Sequence, residues 1–257
     1  MSKAIRVAIA NQKGGVGKTT TAVNLGAELA AMGLRVLLID MDHQGNATTG
    51  CGVGEDTVED STYTVLRNAR QGVQYALRSI ASNFWLLPAT LDLAAAEWEL
   101  AALPARETLL RRALDVGDTM GRFDYILFDC PPGFTLAAQN ALAAADWVLV
   151  PVSAELYPMR GLGQLQRSVE RMQDAVNPDL HIGRILITMM DRRNTIAREV
   201  ETALRAKYGV TVLSTVIPRN VKLTEAPGAG IAIREYAPDS TGAVAYRLLA
   251  EELTHAQ

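Results

Sequence analysis

Two lysines bracket a glycine run at Lys13-Gly14-Gly15-Val16-Gly17-Lys18, and Thr19 and Thr20 follow at once. Glycines permit a tight turn in which successive N–H groups point inward and cradle phosphate oxygens. A helix starting behind such a loop adds the positive end of its dipole. In that arrangement Lys18 lies against the β- and γ-phosphates, the Thr19 hydroxyl completes a Mg²⁺ shell, and Thr20 donates near the α-phosphate. The chemistry is nucleoside triphosphate binding with a divalent cation. The common phosphate-loop pattern has glycine where this chain has Gln12, and the second lysine, Lys13, stands at the start of the loop. A glycine turn carrying two solvated lysines is the blander alternative, which the strand–loop–helix context argues against.

Carboxylates follow two further apolar runs. Val36-Leu37-Leu38-Ile39 ends in Asp40-Met41-Asp42-His43-Gln44-Gly45-Asn46, and Tyr125-Ile126-Leu127-Phe128 ends in Asp129. Alone, Asp40 and Asp42 read as a cap-and-turn cluster in preference to a pair placing Mg²⁺ and a water. Beside a phosphate loop the second reading gains weight, and Asp129 becomes a Walker B carboxylate holding Mg²⁺ through water. His43 reads as a solvated histidine, and Cys130 as structural filler.

These residues need elements to position them. Short Val/Ile/Leu-rich runs predict strands at Ile5–Ala10, Arg35–Ile39, Phe84–Pro88, Tyr125–Phe128, Trp147–Pro151, Arg184–Met189 and Val212–Val216. Helical patterns fall at Lys18–Met32, Leu91–Leu100, Arg106–Val116, Leu136–Ala144, Gly161–Val176, Thr195–Tyr208 and Gly242–Leu253. Strands alternating with helices predict an α/β fold: a mostly parallel twisted sheet of about seven strands with helices on both faces. No linker, repeat or low-complexity tract divides residues 1–257, so a single domain is expected. In such sheets, ligands sit beyond the carboxyl ends of the strands, where the residues above fall.

The Lys13–Thr19 loop resembles the deviant Walker A motif of the ParA/MinD superfamily of P-loop NTPases. The Asp40–Asn46 run is similar to the Asp-x-Asp-Pro-Gln-Gly-Asn switch of the ParA/Soj branch, with His43 replacing the proline. Cys130-Pro131-Pro132-Gly133 resembles the family's Asp-Cys-Pro-Pro-Ser run, with Gly133 replacing the serine. Thr215 to Pro227 matches a run of the same branch. The resemblance covers residues 4–254. It implies an ATPase using ATP/ADP and Mg²⁺, in which Lys13 reaches across a nucleotide-sandwich homodimer to the partner's phosphates. It further implies that Asp42 orients the attacking water, that Asp40 lies near Mg²⁺ or supports the loop, and that Pro218 and Asn220 line the adenine site. The nucleotide cradle is then Lys13, Gly14, Gly15, Val16, Gly17, Lys18, Thr19 and Thr20, with Thr19, Asp40 and Asp129 on the metal.

Charge adds a separate clue. The 257 residues carry a net charge of −3, which excludes a chain-wide cationic polyanion binder. Arg184–Arg247 nevertheless holds ten basic against six acidic residues. A local cationic surface suits phosphate-backbone contact without base reading, and a solvated mixed surface is the alternative. The resemblance places non-specific binding of double-stranded DNA at Arg193 and Lys222, to which Arg234 and Arg247 are added. It also implies a ParB-type centromere-binding partner, chromosome or plasmid partition, and a nucleoid-associated cytoplasmic protein without an N-terminal helix-turn-helix extension. Cys51 and Cys130 have no metal-ligand spacing and fit a reducing compartment. A MinD-like membrane-associated ATPase is the alternative. The acidic tail Leu248–Gln257 lacks the basic amphipathic pattern that role needs, so no membrane partner is expected.

Overall fold

The computed structural model describes residues 4–155 and 158–255, giving only the backbone of 158–160. In chain order the first half comprises β1 (Ile5–Ile9), α1 (Lys18–Ala31), β2 (Val36–Asp40), α2 (Asn46–Gly50), α3 (Thr62–Arg67), β3 (Arg78–Ala81), β4 (Phe84–Leu87), α4 (Ala96–Glu99), α5 (Leu109–Leu114) and α6 (Thr119–Arg122). The second half comprises β5 (Tyr125–Asp129), α7 (Leu136–Ala144), β6 (Trp147–Ser153), α8 (Pro158–Ala175), β7 (His181–Met190), α9 (Thr195–Tyr208), β8 (Val212–Pro218), α10 (Lys222–Ala229), α11 (Ile233–Tyr236) and α12 (Thr241–His255).

One sheet runs β3-β4-β2-β5-β1-β6-β7-β8, parallel throughout except that β3 is antiparallel to β4. The apolar strands are buried on both faces, and their alternation feeds two cores. Leu37 and Ile39 of β2 join one core, while Val36 and Leu38 join the other with α1 and α12. Gly33, at φ 87, ends α1 in the left-handed conformation that glycine adopts without strain.

The sheet has eight strands among the described residues, rather than about seven. The additional strand, β3, is a half-exposed Arg-Ser-Ile-Ala run at the sheet's edge, too polar to read as a buried strand. It turns into β4 through Asn83, at φ 61. Two expected helices are also broken. Leu91–Leu100 is a 3₁₀ turn followed by α4, and Arg106–Val116 is a 3₁₀ turn followed by α5. The helix expected at Gly161–Val176 begins earlier, at Pro158. Residues 256–257 of the acidic tail lie outside the described residues.

Candidate nucleotide site

The carboxyl ends of β1, β2, β5, β7 and β8 meet around a cavity of about 870 Å³. Its floor is the β1–α1 loop. Gly15 and Gly17 stand at φ 71 and 85, where a side chain would be strained, and Gly17 is the residue from which α1 starts. Lys18 is 6% exposed, and its Nζ donates to the Lys13 carbonyl at 3.3 Å. Burial lowers its pKa, and Asp129, Cys130 and Asp42 pull it back up. An ammonium held dry beside a glycine loop is ready for a polyanion. Gly14, Gly15, Gly17, Lys18, Thr19 and Thr20 all line the cavity.

Lys13 behaves differently from Lys18. It is absent from the cavity lining, and its half-exposed Nζ meets Glu155 at 3.2 Å. The loop ahead of it is wired to the β6–α8 side. Asn11 accepts from the Lys13 amide (3.0 Å) and donates to the Pro151 carbonyl (2.7 Å), while Gln12 donates to Ser168 Oγ (2.9 Å). Gln12, at the position where glycine is usual, therefore anchors the loop to α8.

The three carboxylates divide their work. Asp40 is fully buried and accepts from the Thr48 amide (2.9 Å), the Thr48 hydroxyl (2.8 Å) and the Asp42 amide (3.1 Å). Burial pushes its pKa up to about 6 against these hydrogen bonds. Its oxygens thus hold the 42–48 turn together. Asp42 is 8% exposed and lines the cavity, accepting from the Gln44 amide at 3.1 Å. Asp129, paired in register with Asp40, is fully buried, and no donor reaches either of its oxygens with hydrogen-bond geometry. Burial raises its pKa well above the usual range, Asp40 adds to the rise, and the nearby Thr19 hydroxyl and Lys18 oppose it.

An orphaned buried carboxylate beside a threonine hydroxyl fits a divalent cation. Among the described residues, no three His, Cys, Asp or Glu side chains cluster as a protein-only metal site. The remaining ligands of such a cation would be phosphate oxygens and waters, as Mg²⁺ prefers. Gly133 stands at φ 94, a conformation that accounts for glycine at that position. Both thiols are buried and pushed up by burial, so neither Cys51 nor Cys130 is a reactive thiolate.

The far end of the cavity is apolar, with Ile217, Pro218, Leu223, Ala226, Pro227 and Tyr246 among its walls. Asn220 also lines it, but its amide is engaged. Nδ2 donates to Thr241 Oγ1 at 2.8 Å, and Oδ1 accepts from the Lys222 amide at 2.8 Å. Asn220 thereby ties the start of α10 to the start of α12.

Other site residues come from late in the chain. Glu155 holds Lys13 and lies 3.8 Å from Arg219, and Thr188 and Met189 form part of the wall. No motif marks these residues. Only the strand order brings them to the loop.

The four basic candidates separate into two groups. Arg193 and Lys222 follow the carboxyl ends of β7 and β8, paired with Asp191 (2.9 Å) and Glu225 (2.8 Å). Arg193 is 91% exposed, and its contacts pull the Asp191 pKa down to about 2. Arg234 lies 3.5 Å from the buried Glu28, which also feels Arg247. Glu28 is ten residues along α1 from Lys18, about 15 Å away along the axis.

A glycine-loop strand–helix unit, a buried carboxylate at the end of a neighbouring parallel strand and a mostly parallel sheet define a P-loop NTPase. Residues 4–182 match the model of the AAA domain family. The chain is 48% identical to the chromosome-partitioning ATPase Soj of Thermus thermophilus, over 98% of this chain and 96% of that one. It is 45% identical to the sporulation initiation inhibitor protein Soj of Bacillus subtilis, covering 96% and 97%. Among solved structures, cobyrinic acid a,c-diamide synthase of Mycobacterium smegmatis with bound ADP and magnesium superposes with a TM-score of 0.84. It is 37% identical, over 98% of this chain and 94% of that one. The chain belongs to the ParA/Soj family of partitioning ATPases.

Proposed function

We propose that this chain is an ATP- and Mg²⁺-dependent partition ATPase, acting as one domain, that pairs face to face around nucleotide and binds duplex DNA without sequence preference. The observation that carries the reading is the division between its two lysines. Lys18 is buried in its own cavity, whereas Lys13 directs its ammonium away from it, onto Glu155. A cation excluded from its own site and exposed at the loop's rim is suited to a second copy's phosphates, as an arginine finger is.

In this reading the Gly14–Gly17 amides and Lys18 bind the phosphates, while Val16, Thr19 and Thr20 complete the cradle. Thr19 and Asp129 would hold Mg²⁺, which when bound would neutralise phosphate charge. Asp40 acts as the brace of the switch turn, and Asp42 orients the attacking water. The apolar wall with Pro218 receives the base, and Asn220 fixes that turn. Pairing doubles the exposed cations of Arg193 and Lys222 on one surface, which raises affinity for a polyanion steeply. Arg234 and Arg247, gathered about Glu28, belong to the same function only if DNA reaches that flank. Hydrolysis, stimulated by a ParB-type centromere-binding protein, dissolves the pair and frees the DNA, so the protein cycles on and off the nucleoid in the cytoplasm.

Light scattering coupled to size exclusion tests the reading. ADP should leave one copy per particle and ATP should give two. Asp42→Ala should trap the ATP dimer and abolish turnover. An ATP-loaded protein that stays monomeric, with or without duplex DNA, would overturn it.

A further inference from the structure

Strand β7 carries an irregularity at the point where it meets the phosphate loop. On its β8 side, Ile187 pairs with Val216 and Met190 with Pro218, so three β7 residues span two of β8. On its β6 side, pairing is regular from Arg184, opposite Leu149, to Thr188, opposite Ser153. The extra residue is a β-bulge, a device that bends a strand and re-aims a side chain. Met189 sits in it at φ 53. The other non-glycine residues with positive φ among those described, Asn83 and Ala105, lie in turns. A side chain held left-handed inside a strand is strained, and such strain persists where surrounding structure imposes it.

Both bulge residues line the nucleotide cavity. Thr188 is 2% exposed, and its hydroxyl donates to the Val16 carbonyl at 2.8 Å. A Cβ on Gly17 would meet the Thr188 methyl at 3.8 Å, so the side chain packs directly against the loop. Turning the Val16 carbonyl toward Thr188 fixes the plane of the next peptide, whose N–H belongs to Gly17. Met189 is half-buried in the same wall as Ile217 and Pro218.

We infer that the Thr188–Met189 bulge is a positioning element serving both ends of the nucleotide: Thr188 sets the phosphate loop and Met189 walls the base. Resting on the nucleotide reading of the cavity, the inference assigns two adjacent residues to different parts of one ligand.

Calorimetric titration of Mg²⁺–ADP and Mg²⁺–pyrophosphate into wild type and three variants separates the two roles. Thr188→Val keeps the volume and removes the donor. It should weaken ADP and pyrophosphate alike by about tenfold, the size of one buried hydrogen bond lost. Thr188→Ser should restore both. Met189→Gly suits the left-handed backbone, so its melting temperature without ligand should hold or rise, while ADP weakens and pyrophosphate does not. A merely structural role would lower melting temperatures without this split between ligands.

Wild-type affinity for both ligands in a folded Thr188→Val protein would overturn the inference, as would equal losses of the two in Met189→Gly. If Thr188→Val does not fold, the Met189→Gly ratio decides alone. Failure of the wild type to bind either ligand would sink the nucleotide reading and the bulge's role with it.

Discussion

At the scale of single residues, the site stores unfavourable charge that its ligands relieve. Asp40 and Asp129 are neighbours in register, both fully buried and both raised, Asp40 to about 6. A carboxyl whose folded pKa exceeds its ordinary value of 3.8 favours folding when protonated. That contribution is complete below the ordinary value and is lost as pH rises through the folded one. Without metal, Asp129→Asn should therefore gain stability over wild type as pH rises from the ordinary 3.8 through the raised, folded value, because the neutral amide carries no such penalty. Calorimetric melting across that range checks this, and a constant difference between the two proteins would refute it. Adding Mg²⁺ and ADP should stabilise wild type and not the variant. The sequence marked Asp129 by its place after four apolar residues. It offered Asp40 as a support of the loop but did not name Thr48 as its partner, since that contact depends on how the 42–48 turn folds back.

At the scale of elements, helix α12 both closes a core and guards an edge. Tyr246 is 1% exposed and meets Thr21 of the phosphate-loop helix at 3.2 Å. On its other side, Glu252 accepts the Ser214 and Thr215 amides of the edge strand β8, at 2.7 and 2.8 Å. An uncovered edge is a template for pairing with another chain. Burial opposes ionisation of Glu252, but the hydrogen bonds win and hold its pKa below the ordinary 4.5. Glu252→Ala should cost about 1–2 kcal/mol in denaturant titration at neutral pH. That cost should be full above the ordinary value and shrink as pH falls through the lower, folded one. Helix α12 was legible from its apolar spacing, whereas this edge role was not, because it depends on which strand lies outermost. The broken helices at 91–99 and 106–114 show the same limit. Their apolar spacing predicted burial correctly, with Leu93, Ala96, Leu109 and Leu110 in the core, but not the 3₁₀ starts, of which 91–95 packs on α3 and α4 and 106–108 on α7.

At the scale of the whole molecule, an anionic chain places two of its four candidate DNA contacts where the strands end. Arg193 and Lys222 stand at the nucleotide edge of the sheet, whereas Arg234 and Arg247 are drawn to Glu28 farther along α1. Reversing the first pair, Arg193→Glu with Lys222→Glu, should weaken duplex binding equally for unrelated sequences. The log–log salt slope should become shallower by about two per protomer. Fluorescence anisotropy over a salt series measures both. A loss confined to one DNA sequence would mean base reading instead.

The sequence alone determined the phosphate loop, the carboxylates behind β2 and β5 and the alternating α/β plan. Each of these is local: a glycine run, an apolar strand and a helical period sit within a few consecutive residues, and their physics does not depend on distant partners. The tertiary structure decided which late residues join them. Thr188, Met189, Glu155 and Arg219 reach the site only because β6, β7 and β8 stack beside β1 in that order. Their roles are set by distances across more than a hundred residues of chain, which no short spacing encodes.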